Sequence, residues 1–377
     1  MAAEHLFPHN WKIADGYPAP GIDRHGLKVF GTFICGGGSS MGYKLAGFDH
    51  LGGVEIDPKV SAIYADNHHP KYLYTQDLRE FNMREDLPAE LYQLDLLDGS
   101  PPCSTFSMAG SREKAWGKEK VFAEGQALQT LDDLVFVYCN TIRKLRPKTF
   151  ILENVSGLAR GNAKSYLRRI FDTMQNSGYK CQVFLLNAAT MGVPQIRERT
   201  FVIGRLQDLN YPDLVLDFHE KPIYFSQVID KADTSRTISD NMMNLFEHVR
   251  VSDTKVSDTR VRLGLSRTGY TQCWVHPTRV CCTLTTAEVF LQNFPRSLNE
   301  KELLRISTFP EDYKYTNRNR LRWLVGMSVP PHNDRPDSAP NRAPMADEMT
   351  EQGDKPICEN RRVLQAVKFV LPPPAKS

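Results

Sequence analysis

Short apolar runs of strand length recur between residues 29 and 203, at 29–34, 53–56, 94–97, 150–152, 183–186 and 201–203. Between them the apolar positions take up a helical period. Within 126–145, positions 128, 131, 134, 135, 138 and 142 share one helical face, and the pattern stops before Pro147, whose ring cannot continue a helix. Tyr166, Leu167, Ile170, Phe171 and Met174 form a second stripe, ended by Gly178, and 39–46 is a third candidate helix. Alternating strands and helices predict an α/β fold with a doubly wound, mostly parallel sheet covered on both faces. After Arg205 the alternation fails. Residues 206–275 are mixed and polar with no long periodic helix; regular patterning returns at 283–286 and runs to Val329. The chain thus divides into an irregular lead-in at 1–27, a principal domain from 28–205 and 276–331, an insert at 206–275, and a tail at 332–377. The first part of that tail is rich in Pro, Asp, Asn and Glu and reads as disordered.

The chemistry gathers where strands are predicted to end. Phe33, Ile34 and Cys35 lead into Gly36, Gly37 and Gly38. Glycines there let backbone approach a ligand at the carboxyl edge of a first strand, and Glu55 ends the next strand as an acceptor for ribose hydroxyls. A tight turn without a ligand is the plainer reading of the same residues. The run at 94–97 enters Ser100, Pro101, Pro102 and Cys103, a turn stiffened by two prolines that presents one thiol. Most cysteines are buried and inert, but the flanking prolines and hydroxyls favour a presented nucleophile, active as the thiolate. Glu153 follows the run at 150–152, either as a helix cap or as a catalyst. Gln195, Arg197 and Arg199 alternate before the run at 201–203 and so project together if extended; a solvated charged turn is the alternative.

Composition narrows the class without selecting it. The net charge of +3 is compatible with an anionic partner and does not require one. None of the eight cysteines forms a C-x-x-C pair, so no structural zinc or other metal is expected, and unpaired cysteines fit a reducing compartment. No stretch approaches 18 consecutive apolar residues, and a soluble intracellular protein is expected.

In order and spacing, the Gly-rich turn, Glu55, Asp77, Pro-Pro-Cys103, Glu153-Asn154-Val155 and Gln195-x-Arg197-x-Arg199 resemble the DNA cytosine-5 methyltransferase family. The later segments 283–286, 307–313 and 326–331 look like that family's closing motifs. Cys35 stands where the family commonly has glycine, and Met327 where it usually has asparagine.

The resemblance implies a methyltransferase fold and S-adenosylmethionine as methyl donor, with no metal. The donor would lie over Phe33 and Gly37, lined by Gly36, Pro102 and Ser328, with Glu55 on its ribose and Asp77 near the adenine amine. Cys103 would attack carbon 6 of a flipped cytosine, Glu153 contact ring nitrogen 3 and the exocyclic amine, Arg199 hold the carbonyl oxygen, and Arg197 favour the thiolate. Residues 108–126, with Arg112, Lys114, Lys118 and Lys120, would form a lid on DNA phosphates. The insert would be a target-recognition domain in which Arg260, Arg262, Arg267 and Gln272 suit base edges. Double-stranded DNA, a cytoplasmic monomer, and a bacterial or phage modification system with a cognate restriction endonuclease complete the expectation.

Three competitors share parts of this pattern. They are a nicotinamide-dependent oxidoreductase, an RNA cytosine-5 methyltransferase, and a cofactor-impaired DNA-binding relative. By the same resemblance a helix should follow 326–331, yet HNDRPDSAPNRAPMADEM has no apolar period. Codons can be chosen for it whose next frame reads IMTAQIAHQIAHQWLTK, with Ile, Ala and Trp at helical spacing. A frameshift and a genuine polar tail are the two readings, and the gene's codons decide between them.

Overall fold

The computed structural model describes residues 11–16, 24–102, 132–160, 164–209, 212–235, 238–269 and 271–331. Most of the lead-in, Cys103 with the 108–126 segment, and the 332–377 tail lie outside them.

A seven-stranded sheet organises the chain, in the order β3 (Tyr72–Thr75), β2 (Asp49–Glu55), β1 (Lys28–Thr32), β4 (Leu96–Gly99), β5 (Thr149–Val155), β7 (Glu198–Leu206), β6 (Tyr179–Asn187). β3 through β5 pair in parallel, and β7 runs antiparallel to both β5 and β6. Because β1 lies between β2 and β4, strand order reverses there, which opens a crevice at the carboxyl ends of β1 and β4.

Side-chain alternation gives the sheet two apolar faces. Phe30, Leu97 and Leu152 point toward α3 (Leu78–Met83), α4 (Asp132–Leu145) and α5 (Lys164–Gln175). Val29, Leu96 and Ile151 point toward α1 (Gly38–Leu45) through Tyr43 and Ala46. α2 (Pro58–His68) starts where the Asp57 side chain accepts from Lys59 N at 2.8 Å, with Pro58 in the first helical position.

The last part of the chain packs back on α1 and α2. Leu303, Leu304 and Ile306 of α8 (Glu300–Ile306) and Leu321 and Leu324 of α9 (Arg318–Met327) share a core with Met41, Leu45, Val60 and Ile63. Within 206–275, α6 (Asp240–Glu247) and α7 (Val256–Arg262) are short, and β8 (Cys273–Val275) pairs in parallel with β9 (Val289–Leu291). Leu245, Val256, Trp274 and Phe290 form a small separate core there. A buried chain braces it: Trp274 Nε1 donates to Thr259 Oγ1 at 3.0 Å, and Thr259 donates to Asp253 at 2.9 Å.

Candidate active site

The crevice brings the Gly-rich turn and the Pro-Pro turn together, since Thr32 and Gly99 are paired neighbours at the ends of β1 and β4. Phe33 (φ 54°) and Cys35 (φ 47°) both hold left-handed backbone, and Gly37 (φ 78°) caps α1. The buried Glu55 fixes this turn. Its Oε2 accepts from Cys35 N at 2.9 Å and its Oε1 from Asp57 N at 3.0 Å. Burial raises its carboxyl above the usual range, and these backbone donors oppose the rise. A carboxylate has about four lone-pair sites, so acceptor capacity remains for two further hydroxyls.

Gly36 and Gly38 allow segment 326–331 to close over the turn. Gly36 O accepts from Tyr313 Oη at 2.8 Å, and a Cβ on Gly38 would lie 1.8 Å from Val329 O. Beside Gly36 lies the buried Ser328, whose hydroxyl meets the Cys35 thiol. The Cys35 thiol is pushed up to about 12 by burial, with Glu55 adding to the rise. It is therefore a neutral thiol. Asp77 stands just beyond β3 and accepts from Arg79 N at 2.7 Å, so it caps α3 while flanking the same edge as Glu55.

The half-buried Pro102 ends the described part of the second turn. Asn154 Nδ2, at the end of β5, donates to Pro101 O at 3.1 Å and so fastens this turn to the sheet one residue from Glu153. The asparagine's role was not visible in the sequence.

Glu153 lies within β5 itself, so it is no helix cap. Arg199 Nε approaches Glu153 Oε1 at 3.1 Å, but without hydrogen-bond alignment, and that buried oxygen has no hydrogen-bond partner. Arg197, Arg199, Glu153 and Asp98 line one cavity with apolar walls that include Ile151 and Leu186. Gln195 does not join them: its Oε1 accepts from Leu284 N at 3.1 Å, away from the cavity.

The thiolate that Arg197 is expected to favour, Cys103, lies outside the described residues. The Arg197 guanidinium donates to Leu284 O and Gly326 O at 3.2 Å, so it ties the closing segments to β7. Burial, with Arg199 adding, lowers it to about 9.

Asp98 is an addition that the sequence reading did not single out. Tyr43 Oη donates to its Oδ1 at 3.1 Å, and burial with nearby Glu153 raises the carboxyl to about 7. Behind the Gly-rich turn lie the buried His68 and the half-buried His50. His68 stacks on Tyr64 at 4.3 Å, and a Cβ on Gly37 would lie 2.0 Å from its Nε2. Burial and Lys44 lower both rings, His50 to about 3 and His68 well below its usual value.

These shifts set a pH dependence of stability. A histidine with a depressed folded pKa keeps its stability above the unfolded value of 6.5 and loses it as pH falls toward 3. Asp98, raised from 3.8 to about 7, acts in the opposite sense: its contribution is lost as pH rises across that window. Melting temperatures between pH 4 and 7 should therefore rise less steeply in His50→Asn than in the unaltered protein, and more steeply in Asp98→Asn. Identical slopes in all three proteins would contradict these assignments.

The reversed strand β7, the switch-point crevice and the Gly-rich turn ending in an acidic strand define an S-adenosylmethionine-dependent methyltransferase fold. The chain belongs to the C-5 cytosine-specific DNA methylase family, whose model matches residues 27–333. It is 27% identical over 334 residues to the type II methyltransferase M.FnuDI of Fusobacterium nucleatum, covering 81% of this chain and 91% of that one. It is equally identical over 333 residues to M.NgoPII of Neisseria gonorrhoeae, covering 81% and 92%. A solved chain described as a DNA modification methyltransferase encoded within an E. coli prophage superposes with TM-score 0.59 at 19% identity, over 81% of this chain and 95% of that one. Spodoptera frugiperda DNMT2 superposes with TM-score 0.53 at 16% identity, over 80% and 96%. These two structures share the fold.

Proposed function

We propose that this DNA cytosine-5 methyltransferase modifies a short double-stranded sequence, using Cys103 as the nucleophile and Glu153 and Arg199 as the groups that activate the base. The carrying observation is the buried Glu153, whose Oε1 meets the Arg199 guanidinium at 3.1 Å on the wall of the cavity that Asp98 and Arg197 also line. A carboxylate has about four lone-pair sites, so acceptor capacity remains there for a further donor. A cytosine amine is such a donor. The Asn154 clamp supports placing Glu153 beside the Pro-Pro-Cys turn.

The residues of the crevice fit S-adenosylmethionine. Glu55 has acceptor capacity for ribose hydroxyls, the buried Ser328 hydroxyl stands beside Gly36, and Phe33, Gly36, Gly37, Asp77 and Pro102 are the residues we assign to the rest of its wall. When bound, that donor supplies an electrophilic methyl group.

The base must leave the duplex to be reached, at a cost of a few kcal/mol. Cys103 thiolate adds to carbon 6, and electron density moves to carbon 5. Glu153 neutralises charge at ring nitrogen 3 while Arg199 holds the carbonyl oxygen. After carbon 5 is methylated, its proton leaves, the double bond re-forms and Cys103 is expelled. Arg197 positions this set through Leu284 and Gly326 rather than touching the reacting atoms.

Residues 206–275 are proposed as the target-recognition domain on the principal domain of 28–205 and 276–331. Names of relatives such as M.FnuDI support a bacterial or phage modification role. In that setting the enzyme acts as a cytoplasmic monomer whose counterpart is a restriction endonuclease. Exchanging 206–275 for the corresponding segment of a relative should change the methylated sequence and leave cytosine as the modified base. An active, folded chimera with unchanged specificity would place recognition elsewhere.

A further inference from the structure

Four side chains of the insert have the chemistry to read base edges: Arg260, Arg262, Arg267 and Gln272. The structure separates them. Arg262 Nη2 donates to Asp253 Oδ2 and to His248 O, both at 2.6 Å, which makes it part of the Asp253–Thr259–Trp274 brace. Arg260 donates from Nε to Ser266 O at 2.9 Å and from Nη2 to Ser266 Oγ at 3.1 Å. Gln272 lines a cleft with Asn299 and Arg318, and its backbone closes on Val256 and Gly269.

Arg267 is different. It sits at the tip of loop 264–269, exposed, with no hydrogen bond or ion pair among the described residues. The loop beneath it is stiff. Gly264 (φ 73°) and Gly269 (φ 71°) turn the chain at its two ends, Leu265 N donates to Arg260 O at 2.9 Å, and Thr268 N to Ser266 O at 2.8 Å. Arg260 thus holds Ser266, the residue before Arg267, through two of its five N–H donors. The adjoining Leu265 is 46% exposed, an apolar group left in solvent at the same tip.

We infer that Arg267 is the specificity-determining residue of this loop, presenting its guanidinium to the O6 and N7 edge of a guanine in the methylated DNA site. The inference rests on the DNA-methylating reading above. A braced loop fits this use, since fixing the backbone in advance removes much of the ordering cost of a bidentate contact. Arg260 is then a positioning residue that acts through Ser266.

The test is bisulfite sequencing of DNA from cells expressing the full-length protein, Arg267→Ala or Arg260→Ala. The unaltered protein should methylate cytosine in a fixed sequence containing guanine. Arg267→Ala should lose roughly ten- to a hundred-fold discrimination at one guanine position, with the rest of the consensus kept. Arg260→Ala should relax the same position more weakly. An unchanged consensus in Arg267→Ala overturns the inference. So does a uniform loss at every sequence, which marks a phosphate contact, and so does a fall in melting temperature that accounts for the lost activity. Absence of methylation by the unaltered protein would instead defeat the reading on which the inference rests.

Discussion

Cys103→Ser is expected to lower methyl transfer by roughly three orders of magnitude or more while leaving melting temperature and DNA affinity nearly unchanged. A free thiol ionises near pH 8.5, and a hydroxyl is far more weakly acidic, so the substitution removes the nucleophile with little change in volume. The scaffold should survive, because the turn is fastened independently by the Asn154 bond to Pro101 O. The other crevice thiol cannot substitute. Cys35 is held neutral, with its pKa pushed up to about 12 beside Glu55. A duplex carrying 5-fluorocytosine gives a second readout. Fluorine cannot leave carbon 5 as a cation, so the adduct should persist through denaturation with the unaltered protein and be absent with Cys103→Ser. Turnover above about a tenth of the original, where loss of such a nucleophile costs orders of magnitude, would remove Cys103 from the mechanism.

Glu153→Gln should slow the chemical step by roughly 10²–10⁴-fold, with DNA affinity within a few-fold of the original. The amide keeps the shape of the side chain and still offers a carbonyl to the cytosine amine. It loses the charge that offsets electron demand at ring nitrogen 3, and the ion pair that holds Arg199 at 3.1 Å. Single-turnover rates on pre-bound DNA separate chemistry from binding. Affinity falling in parallel with rate would make Glu153 a structural residue.

Much of the frame could be read from the chain because β1, β4 and β5 are buried on both faces. Such strands appear as unbroken apolar runs. β3 is an edge strand whose apolar run is only the three half-buried residues Tyr72, Leu73 and Tyr74, two of them tyrosines with polar tips. α2 was missed too. Its buried positions include Ser61, Asn67 and His68 beside Val60, Ile63 and Tyr64, so its inward face has no apolar period.

In the site, Cys103, which lies outside the described residues, belongs to a distinctive local string, as do Glu153 and Arg199, which line one cavity. Arg197 belonged to the same string, but its partners Leu284 O and Gly326 O are 87 and 129 residues away, and nothing local announces them. Asp98 was hidden within what reads as a strand end; it acquires meaning only once Tyr43 and Glu153 are brought beside it.

The central claim is that the chain places a methyl group on carbon 5 of cytosine in DNA through Cys103. Bisulfite sequencing of genomic DNA from cells producing either the unaltered protein or Cys103→Ser tests it most directly. The account predicts conversion-resistant cytosines at one recurring sequence with the unaltered protein, and background levels with Cys103→Ser. Background levels in both, or equal levels of resistant cytosines in both, would contradict it.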